Sequence, residues 1–193
     1  MNECQPFYDL FFYTILNDID VDAIEKECYD LRKQSEGRHL SNINGWQSNN
    51  LDKSNMPSAI GDLQIKIDIF ANQVKDEIAL REVKNSNLWV NINPPNSYNR
   101  MHTHPFCVLS GVFYVKAPKN CGNLVFSRDR SFSDYFCQTF DETNPNYRLF
   151  EDWWVPPEEG KLVIFPSYLQ HHVDINESKS DRISISFNYG LND

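Results

Sequence analysis

The residues able to do chemistry fall in three places: His102-Thr103-His104, His171-His172 and Arg182-Ile183-Ser184. On an extended strand residues i and i+2 face the same way, so His102 and His104 can converge on one ion while Thr103 points away. A third imidazole would come from a distant strand, and His171-His172 lies about 70 positions further on. Neutral imidazole suits iron, zinc, copper and nickel. Three protein ligands that leave coordination positions open mark a catalytic metal site rather than a structural one. The plain alternative is a surface pair on a strand. Arg182 and Ser184 share a strand face by the same alternation, so the guanidinium can take a carboxylate in a fork while the hydroxyl donates another hydrogen bond. The plain alternative there is an arginine flanking a strand beside Asp181. His171 and His172 point in opposite directions on an extended chain, so one would ligate and the other pack or support.

These residues need a scaffold that brings distant strands together, and the hydropathy pattern supplies one. From Leu88 onward the apolar period is 2, with strands expected near 88–92, 107–116, 123–127, 161–165 and 182–189 and a turn at Pro94-Pro95-Asn96-Ser97. Such a series predicts an antiparallel barrel or jelly roll. Before it, Ile24, Cys28 and Leu31 recur at helical spacing behind Asp20 and Asp22, with Gly37 as a stop, and predict a helix over 21–34. A second helix begins near Ser58, where Ile60, Leu63, Ile67, Phe70, Val74 and Ile78 form a core-facing stripe. The expectation is a single domain over 1–193, with 1–87 as helical support and 88–193 as the β core. The segment 131–159 is polar and aromatic and reads as a long functional loop or lid. Trp46, Trp153 and Trp154 could wall a substrate pocket, although buried tryptophans are more often plain core, and Asn91, Asn93 and Tyr98 could line a co-substrate pocket, although asparagine in a proline-rich turn usually caps backbone groups. Arg128 and Arg130 could bind an acidic substrate or be solvated.

Eighteen basic against 27 acidic residues give a net charge of −9, with no cationic cluster to track phosphates, which disfavours nucleic acid. No apolar run approaches a membrane span and the start of the chain lacks a secretory pattern, so a cytoplasmic protein is expected, with a homodimer allowed. The 5 cysteines are odd in number and without Cys-x-x-Cys spacing, which predicts reduced thiols, a cysteine nucleophile being the minor alternative.

His102-x-His104-Pro105, Leu109-Ser110-Gly111-Val112-Phe113-Tyr114, 160–167 (GKLVIFPS), His171 and 182–188 (RISISFN) together resemble the iron- and 2-oxoglutarate-dependent oxygenases, and Gly45-Trp46-Gln47-Ser48 resembles their bacterial and phage branch. The motifs span about three quarters of the chain in the family's order. The resemblance implies a double-stranded β-helix, mainly β with supporting N-terminal helices, of jelly-roll and cupin-like form. It also implies Fe(II), 2-oxoglutarate and O2 as cofactors, with the active site at the barrel mouth. His102 and His171 take the imidazole roles. His104 stands where the family's usual His-x-Asp or His-x-Glu motif has a carboxylate, and Arg182 with Ser184 forms the co-substrate anchor. The implied reaction hydroxylates a C–H bond of a peptide residue or a small metabolite and releases succinate and CO2. Two other readings stand beside it: a cupin-like three-histidine metal barrel without 2-oxo acid chemistry, supported by His104, and a structural or accessory barrel that has lost activity.

Overall fold

In the computed structural model, which describes residues 10–52, 54–127 and 152–192, strands and helices follow in the order β1 (Phe12–Ile15), α1 (Val21–Gln34), β2 (Asn42–Ile43), β3 (Trp46–Gln47), α2 (Ser58–Glu77), β4 (Val83–Asn93), β5 (Tyr98–His102), β6 (Leu109–Lys116), β7 (Leu124–Ser127), β8 (Asp152–Val155), β9 (Lys161–Pro166), β10 (His171–Val173) and β11 (Arg182–Leu191). Both helices lie where the periodicity places them. Asp20 caps α1 by accepting a hydrogen bond from the Ala23 N–H at 3.0 Å. Pro57 leaves α2 without a side-chain cap of its own. The Glu27 carboxylate of α1 reaches across instead and accepts from the N–H groups of Ala59 (3.0 Å) and Ile60 (2.9 Å).

The strands form two antiparallel sheets. The larger has the order β1-β9-β6-β11-β4-β3 and the smaller β2-β5-β10-β7-β8. Alternation along the larger sheet sends one set of side chains, including Leu88, Val90, Ile92, Ile183, Ile185 and Phe187, into a core shared with Ile24 and Cys28 of α1 and Ile60, Leu63 and Ile67 of α2. The opposite set faces the smaller sheet. Tyr114, Val163 and Phe165 from the larger sheet close one end of that space against Leu124, Phe126 and Val155 from the smaller. Two sheets facing each other in this manner, with helices behind one of them, form a double-stranded β-helix, the fold the sequence implies.

Several boundaries differ from the sequence reading. β4 begins at Val83 rather than Leu88, because exposed Lys84 and Ser86 alternate with half-buried Val83, Asn85 and Asn87, mostly polar residues that apolar periodicity does not mark. The helical first half also contributes β1, β2 and β3, and the two-residue β2 and β3 are too short to carry a period. Most of the predicted long loop lies outside the described residues, but its last part forms β8 against β7. Neither helix is long and apolar enough to cross a membrane.

Candidate active site

His102 closes β5, His171 opens β10, and the two are direct partners in the antiparallel register, with ring centroids 4.3 Å apart. His104 lies two residues beyond β5. Its backbone N–H donates to the Ser167 carbonyl at 3.0 Å, which folds the chain back so that its Nε2 comes to 3.3 Å from the His171 Nε2. One ligating nitrogen from each of the three rings lies within 4.8 Å of the others. The strand alternation that placed Thr103 on the far side does not hold, because β5 ends at His102 and Thr103 lines the same cavity.

Backbone carbonyls set the tautomers. His102 Nδ1 sits 2.7 Å from the Arg100 oxygen and His171 Nδ1 2.8 Å from the Leu169 oxygen. A carbonyl only accepts, so each Nδ1 carries the proton and each Nε2 presents its lone pair. Burial pulls the three rings toward the neutral form. The His104 pKa falls to about 4 and that of His171 to about 3, burial being the larger cause and neighbouring His102 the next, and His102 is lowered by burial against an opposing Arg100 carbonyl. Neutral imidazoles with converging lone pairs are the form that binds a metal ion.

The cluster opens into a cavity of about 360 Å³ between the sheets. Across its wall the register aligns Gln47 of β3, Asn91 of β4, Ser184 of β11 and Tyr114 of β6 in one row. Arg182, next but one to Ser184, is 3% exposed; its Nη1 donates to the Gly122 carbonyl at 3.4 Å and its Nε is buried with no hydrogen-bond partner. No Asp or Glu lines the cavity among the described residues. A guanidinium taken out of water without a counter-ion is costly, so an anionic ligand beside Arg182 would remove a deficit the fold leaves open. Burial pushes the Tyr114 hydroxyl up to about 12, so it stays protonated and can donate. These residues fit a metal ion and a carboxylate-bearing co-substrate held side by side.

The structure thus brings His102, His104, His171, Arg182 and Ser184 into one cavity. His172 turns away, as expected: its Nε2 lies 3.4 Å from Asp174 Oδ1, outside the cluster. Asn91 lines the cavity and donates to Ser186 at 3.0 Å, whereas Asn93 donates to Asn99 at 3.4 Å and Tyr98 pairs with Ile43, neither being a lining residue. Trp46 belongs to the core and not to the cavity wall. Its indole donates to the Ser35 carbonyl at 2.9 Å and packs on the helical core, and Trp89 takes the cavity wall instead. Trp153 and Trp154 sit half-exposed on β8 and do not line the cavity. Arg128 and Arg130 lie outside the described residues. Cys28, Cys107 and Cys121 are free, and burial raises each thiol pKa, which disfavours a thiolate nucleophile. Sequence reasoning missed Trp89, Tyr114, Gln47 and Arg38. Alternation from Asn91 and from Val112 would have found the first two, whereas Arg38 lies in an irregular segment without a pattern.

Fold and cavity together define a double-stranded β-helix built to hold small ligands between its sheets. Residues 87–188 match the family described as "Putative 2OG-Fe(II) oxygenase", and the chain, over half of which is matched, belongs to that family. It is accordingly an oxidoreductase of the class that uses Fe(II), 2-oxoglutarate and O2. No curated protein sequence matches it. Among solved structures it is similar in fold to a prolyl-4-hydroxylase from Pseudomonas putida (16% identity, TM-score 0.66, covering 95% of this chain and 94% of that one). It is similar also to the viral collagen prolyl hydroxylase of Paramecium Bursaria Chlorella virus-1 (14%, TM-score 0.63, 94% and 96%). A third similar structure is HygX from Streptomyces hygroscopicus with nickel, 2-oxoglutarate and hygromycin B bound (10%, TM-score 0.64, 95% and 83%).

Proposed function

We propose that the chain hydroxylates a C–H bond of a peptide residue or a small metabolite, with His102, His104 and His171 holding iron and Arg182 and Ser184 holding the far carboxylate of 2-oxoglutarate. The observation that carries this reading is the Arg182 guanidinium, its Nε without a hydrogen-bond partner, buried in the same cavity as three neutral, converging imidazoles. Iron, when bound, supplies O2 activation: one oxygen atom enters succinate as the 2-oxo acid loses CO2, and the other enters the substrate C–H bond. The Arg100 and Leu169 carbonyls orient His102 and His171 so that their Nε2 atoms face the ion. Arg182 offers a fork to the carboxylate and Ser184 a hydroxyl, and Val112, Leu124 and Phe165 make the surrounding wall apolar and exclude water. A third imidazole in place of a carboxylate leaves the site one charge more positive, which favours anionic ligands at the open positions. Two of the similar structures are prolyl hydroxylases and a third holds hygromycin B, so both a peptide residue and a small molecule are compatible with this barrel.

The test is anaerobic titration of the purified chain with Fe(II) and then 2-oxoglutarate, followed by visible absorption. A weak charge-transfer band that appears only when both are present is expected. Bound iron without such a band would instead support a three-histidine metal barrel that takes no 2-oxo acid, the reading His104 favours.

A further inference from the structure

The cavity holds a second guanidinium, Arg38, that neither the iron nor the 2-oxoglutarate role uses. Its backbone is fixed on both sides: its N–H donates to the Gln47 carbonyl at 2.7 Å and its carbonyl accepts from Asn42 Nδ2 at 3.0 Å. Gly37 just before it has φ +78°, and a Cβ there would meet the Trp46 indole at 2.5 Å, so only glycine allows this close approach. Gln47 stands at the β3 end of the row that runs through Asn91 to Ser184. Strands lie about 4.8 Å apart, so two strand spacings put Arg38's anchor roughly 10 Å from the co-substrate end.

The Arg38 side chain donates to Asn50 Oδ1 at 3.2 Å, which leaves most of its five N–H donors free. No carboxylate pairs with it among the described residues, whereas Arg32 on the outside of the molecule has Asp181 at 3.4 Å. Ser41, Asn50 and Asn99 surround this end with uncharged hydrogen-bonding groups. In a chain with net charge −9, a cavity whose only charged side chains among the described residues are two arginines selects for negative ligands at both ends.

We propose that Arg38 binds a carboxylate of the primary substrate, and that this substrate is a small carboxylic acid of amino-acid size. The inference rests on the oxygenase reading, which assigns Arg182 to 2-oxoglutarate. Size follows from volume: about 360 Å³ is near the lower end for ligand pockets, and the co-substrate occupies part of it. A guanidinium takes either a carboxylate or a phosphate in a fork, but one positive charge with neutral neighbours balances a singly charged carboxylate and not a phosphate group of about −1.5 to −2.

The experiment is saturation-transfer NMR on the full chain loaded with Zn(II) and saturating 2-oxoglutarate, using the free L-amino acids and their matching α-carboxamides as probes. At least one acid should bind, with its amide weaker by roughly 10–100-fold, the size of a charge-assisted hydrogen-bonded contact. Arg38→Gln should abolish that difference and Arg38→Lys retain part of it. Since the Arg38 side chain holds no backbone group, both variants should fold. Equal binding of acids and amides, a preference that survives in Arg38→Gln, or no acid binding at all would overturn the assignment. The 2-oxoglutarate signal is read in the same samples. Its failure to bind would count against the oxygenase reading, while the acid and amide comparison still decides the role of Arg38.

Discussion

Arg182 is the residue at which burial and chemistry are most closely joined. It is 3% exposed with an unpartnered Nε, and burial lowers its pKa against the opposing influence of Tyr114. Arg182→Ala should therefore raise the apparent KM for 2-oxoglutarate by at least roughly tenfold, the lower range for a lost charged hydrogen bond. Iron content should be unchanged, because the histidine cluster does not depend on the guanidinium for any hydrogen bond. An unchanged KM would remove Arg182 from the anchor role. A second contrast separates the histidines. His104→Ala and His172→Ala each delete one imidazole, but only His104 places a nitrogen in the cluster. The first should weaken Zn(II) or Fe(II) binding by more than the roughly 10–100-fold typical of outer-sphere partners, and the second should leave it near the parent value. Metal content after dialysis against graded chelator measures both.

At the scale of elements, the cap that α1 lends to α2 makes a stability prediction. Glu27→Ala strips the acceptor from the Ala59 and Ile60 N–H groups and should cost about 1 kcal/mol, in the range of lost helix caps, read as a lower urea midpoint with unchanged slope. No sequence pattern announces this contact, since Glu27 flanks the apolar stripe of α1 and its partners are 32 and 33 residues away. The elements themselves were largely legible. The stripe from Ile60 to Val74 and the caps around Val21–Gln34 are local, and local signals are what periodicity reads. β4 and β11 were legible for the same reason, whereas β5 and β10, which carry His102 and His171, are too short to show a period and were linked only by the family motifs. What stayed hidden depends on pairing between distant segments. The row from Gln47 to Tyr114 exists only through register across four strands. Trp46 was open between core and pocket wall in the sequence, and the Ser35 carbonyl shows which way its ring turns. Thr103 was misplaced because alternation fails one residue beyond a strand end.

At the scale of the whole molecule, the buried imidazoles couple folding to pH and to metal. In the unfolded chain these rings titrate near the ordinary value of 6.5, whereas in the folded protein His104 and His171 stay neutral down to about 4 and about 3. Between those limits the unfolded state binds more protons than the folded one, so stability falls as pH falls through that window. The metal-free protein should accordingly show a lower urea midpoint at pH 5 than at pH 7. Carboxylates titrate mainly below that interval, so a His104→Gln, His171→Gln double variant should show a flatter dependence. Metal acts on the same groups with the opposite sign, because an ion that binds only the folded cluster adds about 2.7 kcal/mol at a hundred times its dissociation constant. Zn(II) at pH 7 should raise the melting temperature of the parent and leave the double variant near its metal-free value. As the solution is acidified, protons compete for the same nitrogens and the gain should shrink. A metal-induced shift of equal size in parent and double variant would place the ion somewhere other than this cluster.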